Sequence, residues 1–415
     1  MTDQFVNRRK AIKRLCTGAG VIGGTQLALT NSSHAIDPTP STIGNALAPL
    51  VFSTYADAVR ANSDATLMPG QIVDILGFDN PGDGGGFRGI VEVENMPTLP
   101  GGGSIRPLAS VLDVRMFGST GTPEESTATL QRAVNYSSAS HHAVLLPVRL
   151  DIIEPIILER NSGIHGLGIG FRSGIRPLDC PALRIDGNLI ENGWIFNVSL
   201  RDFTIWGDKV KSKFDYAMHV NQCYRSEFSN IMLRGYRASK KHTQSIVKIE
   251  GKQNSVVFNR LHILGTEKMN SGCALKIANS PQGGKVHFSH ADFENIETGV
   301  EILPGAIAEF FSPYLERLSV GMEIYPGVRS AYVNGGIIRM SSRKSIGIHL
   351  KNGTFENNEH IALIGTTFTG TREKYKYAGI HADDIVWSNS NPITIQAIDQ
   401  KSISISPVIK QFSTL

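Results

Sequence analysis

The sequence has few of the cysteines on which disulfide-rich proteins depend, and it lacks the glycine repeat of collagen-like fibrous proteins. Its 415 residues include only 4 cysteines, 7% aromatic residues and 19% charged residues. Four cysteines cannot staple a chain of this length with disulfide bonds, and the 42 glycines follow no triplet period. With 41% hydrophobic residues, the chain is too apolar to be disordered and long enough to bury a large core.

The small excess of positive charge lies at the start of the chain. Lysine and arginine number 41 against 37 acidic residues, but residues 1–35 hold five basic residues and only Asp3. A basic segment, an apolar run over residues 15–29 and a small-residue exit at residues 33–35 predict a signal peptide over residues 1–35. The Arg8-Arg9 pair resembles a twin-arginine signal, which implies a periplasmic or secreted protein.

Without that segment the chain is electrically balanced, with 36 residues of each sign. Binding to a phosphate backbone needs clustered lysine and arginine, so no nucleic-acid partner is predicted. No later stretch reaches the roughly 18 apolar residues of a membrane span. Three cysteines remain, without metal-binding spacing, and we expect buried structural thiols. A metal is not predicted, because the aligned His349 and His381 lack a clear third ligand, and neither is a cofactor.

Internal repeats predict the fold. Residues 293–302 align without a gap on residues 315–324, at a spacing of 22. The second half of this unit recurs as a four-residue pattern. Its first residue is small or apolar, its second and fourth are apolar, and its third is predicted to point outward. Its copies are residues 182–185, 217–220, 246–249, 274–277, 299–302, 321–324, 347–350 and 379–382. A second strand type ends in glycine and begins at Asp202, Asn230 and Arg260.

Strands this short cannot bury a face alone, so each must stack on the copies before and after it. The spacing between copies varies from 22 to 35 residues, which favours a solenoid over a propeller with a constant period. We therefore predict an all-β chain forming a right-handed parallel β-helix. The helical segment within residues 111–136 is expected to cap its N-terminal end.

The predicted domain organisation has four parts. The signal peptide (1–35) precedes a small N-terminal β-rich region (36–108), the β-helix (109–405) and a C-terminal tail (406–415). In the β-rich region, residues 69–77 and 87–93 predict strands joined by a glycine-rich hairpin turn over residues 80–86.

Residues 111–136, and the glycine-rich element at residues 81–88, resemble the entry segment of the pectate-lyase-like β-helix superfamily and a short domain that often precedes it. The chain is also similar to the bodies of phage tailspikes and polysaccharide depolymerases. The resemblance implies an exported carbohydrate-active protein with a polysaccharide substrate. The tailspike likeness further implies a homotrimer.

Outward residues of stacked strands form columns, since neighbouring strands lie about 4.8 Å apart. Glu294 and Glu316 occupy matching positions on adjacent coils, and glycosidases use two carboxyl groups about 5–5.5 Å apart to retain configuration. We predict four catalytic residues in one column: Glu294, Glu316, His262 and Arg234. We predict four substrate-binding residues: Trp206 and Tyr236 as stacking rings, and Lys248 and Lys276 on a second column.

The predicted function is cleavage of a complex or acidic polysaccharide, by hydrolysis or by β-elimination, in a groove along the β-helix. Two alternatives stay open at this stage. One is a non-catalytic polysaccharide-binding or adhesin-like protein, since outward charges on a solenoid are usually a solvated face. The other is a glycan epimerase or fructan transferase on the same fold.

Overall fold

The structure is a computed structural model. It describes residues 49–64, 66–92, 105–170, 172–190, 193–237, 244–266, 272–279, 283–340, 345–355, 359–369, 378–382, 385–387 and 393–396. The predicted signal peptide and C-terminal tail lie outside these residues. None of the helices in the described part of the chain has both the length and the apolar character to cross a membrane.

A small four-stranded sheet, with one helix beside it, precedes the solenoid. Its strands are β1 (Leu50–Phe52), β2 (Ile72–Ile75), β3 (Phe87–Val91) and β4 (Ile105–Pro107). Helix α1 (Tyr55–Ser63) begins after Thr54, whose hydroxyl accepts a hydrogen bond from the Asp57 amide. Strands β2 and β3 pair antiparallel, so the predicted hairpin is confirmed. Asp83 closes its turn by accepting the amide hydrogens of Phe78 and Gly85.

Two long parallel sheets form the body of the molecule, and the β-helix prediction is confirmed. The larger, sheet B, contains β5 (Val111–Asp113), β6 (Ala143–Leu146), β7 (Arg149–Ile152), β9 (Gly163–Gly166), β10 (Gly174–Pro177), β13 (Ser199–Trp206), β16 (Glu227–Arg234), β18 (Val256–Leu264), β20 (Val286–Ser289), β21 (Asp292–Glu294), β23 (Ile307–Phe311), β24 (Tyr314–Leu318), β26 (Ser330–Asn334), β27 (Ile337–Met340), β30 (His360–Ile364), β31 (Thr367–Thr369) and β34 (Ile393–Gln396). Every described pairing within it is parallel.

Sheet C carries the predicted four-residue repeat. Its strands are β8 (Ile156–Ile157), β11 (Leu183–Asp186), β14 (Tyr216–Asn221), β17 (Ser245–Gly251), β19 (Cys273–Asn279), β22 (Thr298–Ile302), β25 (Val320–Ile324), β28 (Ile346–Leu350) and β32 (Ala378–Ala382). Two short pairs complete the coils: β12 (Ile195–Phe196) with β15 (Cys223–Tyr224), and β29 (Gly353–Phe355) with β33 (Ile385–Trp387).

Each coil bends in the middle of sheet B at a residue in the left-handed backbone region. These residues stack from coil to coil: Asp202, Asn230, Arg260, His290, Ser312, Gly335 and Gly365. The Asn230 side-chain amide donates to the Asp202 carboxylate over 2.7 Å, so the bend is tied between coils. The sequence prediction started these strands at the bend, whereas β13, β16 and β18 begin three or four residues earlier.

Helix α2 (Pro123–Ser140) contacts β6–β9 at the N-terminal end of the solenoid. A capping box starts it: the Thr122 hydroxyl accepts from the Glu125 amide, and the Glu125 carboxylate accepts from the Thr122 amide. The predicted capping helix is therefore present, although it extends beyond the predicted end at residue 136. The three cysteines Cys180, Cys223 and Cys273 are free and buried, as expected.

Inward side chains pack in columns inside the coils. The rings of four phenylalanines stack in succession, with centroid separations of 4.6, 5.0 and 4.7 Å. They are Phe228, Phe258, Phe288 and Phe310, all at most 1% exposed. A continuous aromatic column thus runs through four coils of the core.

In the later coils, a steric clash explains why the first residue of each sheet-C repeat must be small. A methyl group on Gly321 would lie 2.3 Å from the Gly347 carbonyl oxygen and 3.0 Å from Ile338. We expect Gly321→Ala to lower the free energy of unfolding by about 1–3 kcal/mol, because neighbouring backbone must move. Urea denaturation measures this loss. The reverse exchange in an earlier coil, Ala274→Gly, serves as the control and should cost at most about 1 kcal/mol; equal losses would contradict the steric explanation.

Candidate active site

Glu294 and Glu316 lie directly opposite each other on β21 and β24, as predicted. They belong to a row of outward residues on the second half of sheet B, which we call the Glu294 ladder. It consists of Trp206, Arg234, Leu264, Glu294, Glu316 and Arg339. The spacing of adjacent parallel strands brings the two carboxyl-bearing residues to within about 4.8 Å at the backbone.

Glu316 is held by two donors. The Tyr314 hydroxyl donates to its Oε2 over 2.6 Å, and Arg339 Nη1 donates to its Oε1 over 2.9 Å. Its side chain is only 15% exposed, whereas that of Arg339 is 57% exposed, so the ion pair is open to water on the arginine side. Both partners stabilise negative charge on the Glu316 carboxylate.

Glu294 occupies a different environment. Partial burial raises its pKa above the ordinary value, and the negative charges of Asp292 and Glu316 raise it further. Arg317 and His262 oppose these effects. The two carboxyl groups on adjacent strands therefore have different surroundings: the pKa of Glu294 is raised, and Glu316 accepts hydrogen bonds from Tyr314 and Arg339. Such a division is what an acid and a nucleophile require.

His262 lies in the neighbouring column, which corrects the predicted arrangement. It pairs with Asp292, whereas Glu294 pairs with Leu264. At this coil the prediction chose the residue two positions before the true member of the column. A shift of two residues keeps the side chain on the same face of the sheet. His262 Nδ1 lies 3.3 Å from Asp292 Oδ2. Arg234 is in the Glu294 ladder, two coils from Glu294, as predicted.

The two predicted stacking rings are buried, and this part of the site prediction is wrong. Tyr236 is 1% exposed, packed so tightly under Gly207 that a methyl group there would lie 2.3 Å from its ring. Trp206 is 6% exposed, with the Arg149 guanidinium 5.6 Å from its ring centroid. The loop before β10 covers it, since Gly170 donates to Thr204 next to it. Neither ring can stack on a sugar.

Exposed aromatic surface on sheet B comes from other residues. Phe311, at the end of β23, is 36% exposed, and its ring centroid lies 5.8 Å from that of Tyr332. Tyr314 follows Phe311 across the bend at Ser312. Aromatic rings in such a position offer a flat apolar surface with polar tips.

Lys248 and Lys276 lie on sheet C and not beside the two glutamates. They belong to the row Arg184, His219, Lys248, Lys276, Glu301, Glu323, His349 and His381, which we call the Lys276 ladder. Lys248 pairs with Glu250 at 2.7 Å, and Lys276 pairs with Glu301 at 3.3 Å. The pKa of Glu250 falls to about 2, chiefly because His219 and also Lys248 bind it.

The connectors between sheets B and C are short where the glutamates lie. They run over residues 153–155, 178–182, 207–215, 235–244, 265–272, 295–297, 319, 341–345 and 370–377. Only residues 295–297 separate β21 from β22, and only Ser319 separates β24 from β25. The coils that carry Glu294 and Glu316 thus have little chain at the corner between the two sheets.

Sequence reasoning missed Asp292, Tyr314 and Arg339. The first two precede Glu294 and Glu316 by two residues, so period two alone places them on the same face. Arg339 belongs to a further copy of the strand, residues 337–340, which the repeat pattern did not include.

No family model matches the chain, and no curated protein sequence matches it. Solved structures do. The enzymatically active domain of tailspike protein 2 of bacteriophage CBA120 matches with a TM-score of 0.51 at 13% identity, over 83% of this chain and 56% of that one. The tailspike protein of Acinetobacter phage vB_ApiP_P1 matches with a TM-score of 0.46 at 15% identity, over 84% and 64%.

A third similar structure is the A-module of the mannuronan C-5 epimerase of Azotobacter vinelandii, with a TM-score of 0.38 at 13% identity, over 73% of this chain and 99% of that one. The chain spans less than two thirds of the two tailspike structures given above. At these identities the likeness concerns the fold. Together with the parallel ladders, it identifies the chain as a right-handed parallel β-helix protein.

Proposed function

We propose that this protein is an exported glycoside hydrolase that cleaves a polysaccharide with retention of configuration. The observation that carries the proposal is the pair Glu294 and Glu316 on adjacent strands, one with a raised pKa and the other bound to Arg339. Strands about 4.8 Å apart allow two facing carboxyl groups to reach the separation of about 5–5.5 Å that retaining enzymes use. The fold shared with an enzymatically active tailspike domain supports the polysaccharide substrate.

In the proposed reaction, Glu316 attacks the anomeric carbon and forms a covalent glycosyl ester. Glu294 donates its proton to the leaving oxygen as the glycosidic bond breaks. A water molecule then attacks the ester, Glu294 takes the water proton, and Glu316 leaves as a carboxylate. The partial burial of both side chains strengthens the electrostatic effects of Arg339 and Asp292 on these steps.

The decisive experiment is incubation of the full chain with a panel of bacterial, algal and plant polysaccharides. Hydrolysis produces reducing ends without the ultraviolet absorbance of an unsaturated uronate. NMR spectra recorded during the first turnovers should show that the product keeps the anomeric configuration of the substrate. Inversion would overturn the assigned roles, and binding without cleavage of any polysaccharide in the panel would favour the non-catalytic alternative.

A second candidate reaction is β-elimination. His262 is oriented by the Asp292 carboxylate at 3.3 Å, an arrangement that suits a base, and Arg234 lies on the same face. In that case the unsaturated product forms, His262→Ala abolishes its formation, and Glu316→Gln retains it. The two reactions therefore predict opposite responses to the same two substitutions.

The pH profile tests the raised pKa of Glu294. An acid must be protonated, so kcat/KM should fall as pH rises through the pKa of Glu294. The Asp292 charge is, after burial, the largest cause that raises this pKa. We expect Asp292→Asn to lower the pKa and to move the alkaline limb of the profile toward lower pH. An unchanged limb, measured beside the surface control Glu227→Gln, would exclude Glu294 as the acid.

A further inference from the structure

A cavity lies on sheet C. Its volume is about 780 Å³, within the range of about 300–1,000 Å³ that ligand pockets occupy. Lys276, Glu301 and Glu323 form its floor as consecutive members of the Lys276 ladder. Lys213 and Gln244 line it from the connectors that precede β14 and β17. Neither Glu294 nor Glu316 lines this cavity.

The cavity wall is a set of fixed donors and acceptors. Lys276 Nζ lies 3.3 Å from Glu301 Oε2. Glu323 accepts from the Tyr325 hydroxyl over 3.1 Å and from Lys351 Nζ over 3.4 Å. The Lys351 ammonium also lies 5.8 Å from the Tyr325 ring centroid, which fixes the ring at the edge of the cavity. These side chains are therefore oriented before any ligand arrives.

The balance of charge restricts the class of ligand. Three carboxylates (Glu297, Glu301 and Glu323) line the cavity with two ammonium groups (Lys213 and Lys276). Lys351, which binds Glu323 at the edge of the cavity, adds a third ammonium group, so the charges balance and an anionic polymer meets no net attraction there. A neutral ligand rich in hydroxyl groups can donate to the carboxylates and accept from the lysines without removing any ion from its partner. The ring of Tyr325 supplies an apolar surface beside these polar groups.

We propose that this cavity is a second carbohydrate-binding site, which holds a segment of neutral sugars on the face next to the Glu294 ladder. The class of ligand rests on the proposed function, whereas the location rests on the cavity alone. The corner at residues 295–297 joins the two faces, and Glu297 of that corner lines the cavity.

The test uses the full chain with Glu316→Gln, so that bound sugar is not cleaved. The probes are the neutral hexasaccharides of cellulose, starch and mannan, with hexagalacturonate as the acidic counterpart, titrated by calorimetry. At least one neutral hexasaccharide should bind. Lys276→Met should weaken that binding about tenfold or more, a difference of about 1.4 kcal/mol. Lys248→Met on the same ladder, outside the cavity lining, should change it less than twofold.

Three results would overturn the inference: tighter binding of hexagalacturonate than of every neutral probe, equal effects of Lys276→Met and Lys248→Met, or no binding of any neutral probe. Tyr325→Phe keeps the ring and removes only the hydroxyl that binds Glu323, so it should weaken binding about threefold. This mild substitution provides a second test if Lys276→Met does not fold. Failure of the proposed function gives a different result. In that case the unsubstituted chain cleaves no polysaccharide, while the Lys276-dependent binding is still observed.

Discussion

Replacing Glu316 with glutamine is expected to lower kcat/KM on the cleaved polysaccharide by about 10³-fold or more, because the substitution removes the attacking carboxylate. Glutamine has nearly the same shape and can still accept a hydrogen bond from Tyr314, so the fold should persist. Steady-state kinetics and the thermal transition, measured on the same preparation, separate loss of chemistry from loss of structure.

The matched control is Glu227→Gln. Glu227 is also on sheet B but lies on its other half, where an exposed ion pair with Arg201 at 3.2 Å holds it. Exposed pairs contribute about 0–1 kcal/mol, so neither activity nor stability should change measurably. Activity of Glu316→Gln within tenfold of the unsubstituted protein would remove Glu316 from the mechanism.

Glu294→Gln provides an internal check of the two roles. An acid matters most when the leaving group is poor, so this variant should be strongly impaired on polysaccharide. Its impairment should be much smaller on an aryl glycoside whose leaving group needs no proton. Glu316→Gln should be impaired on both substrates. Identical patterns for the two variants would mean that the two carboxyl groups do not divide the chemistry as proposed.

Replacing Phe310 with alanine should have the largest effect on stability, a loss of about 3–5 kcal/mol in the free energy of unfolding. Phe310 is the last ring of the four-membered stack and is fully buried, so its removal leaves a cavity inside the coils. Urea denaturation followed by circular dichroism measures the loss as a lower midpoint.

The neighbouring residue Phe311 is the control, because successive strand residues point to opposite faces. Phe311→Ala removes the same ring from the surface and should cost less than about 1 kcal/mol. The same variant should raise KM if the exposed ring contacts substrate. Equal destabilisation by both substitutions would contradict the assignment of Phe310 to the core column.

The sequence alone predicted the solenoid because its repeat has a direct physical cause. Each outward position, such as Lys276 or Glu301, recurs at one place in the coil, and the small residue before it avoids the carbonyl group of the next coil. The pairing of Glu294 with Glu316 was predictable for the same reason, since these two coils align without a gap.

Positions across unequal coils were harder to predict. His262 was placed in the wrong column because β18 is one long bent strand, whereas the next coil breaks into β20 and β21 at His290. The burial of Tyr236 and Trp206 depends on what covers them, Gly207 in one case and the loop before β10 in the other. Neither covering contact is encoded in the local alternation of residues. The bend could have been predicted from Asp202 and Asn230, because aspartate and asparagine tolerate the left-handed backbone region.

The short connectors at residues 295–297 and at Ser319 have an evolutionary consequence. The ladders are fixed by coil-to-coil register, whereas the length of a connector does not alter the register of the strands it joins. Insertions at the flanking connectors would deepen or narrow the binding surfaces and leave Glu294 and Glu316 where they are. Substrate preference and chemistry can therefore diverge independently in descendants of this chain, the first by loop exchange and the second by single substitutions along a ladder.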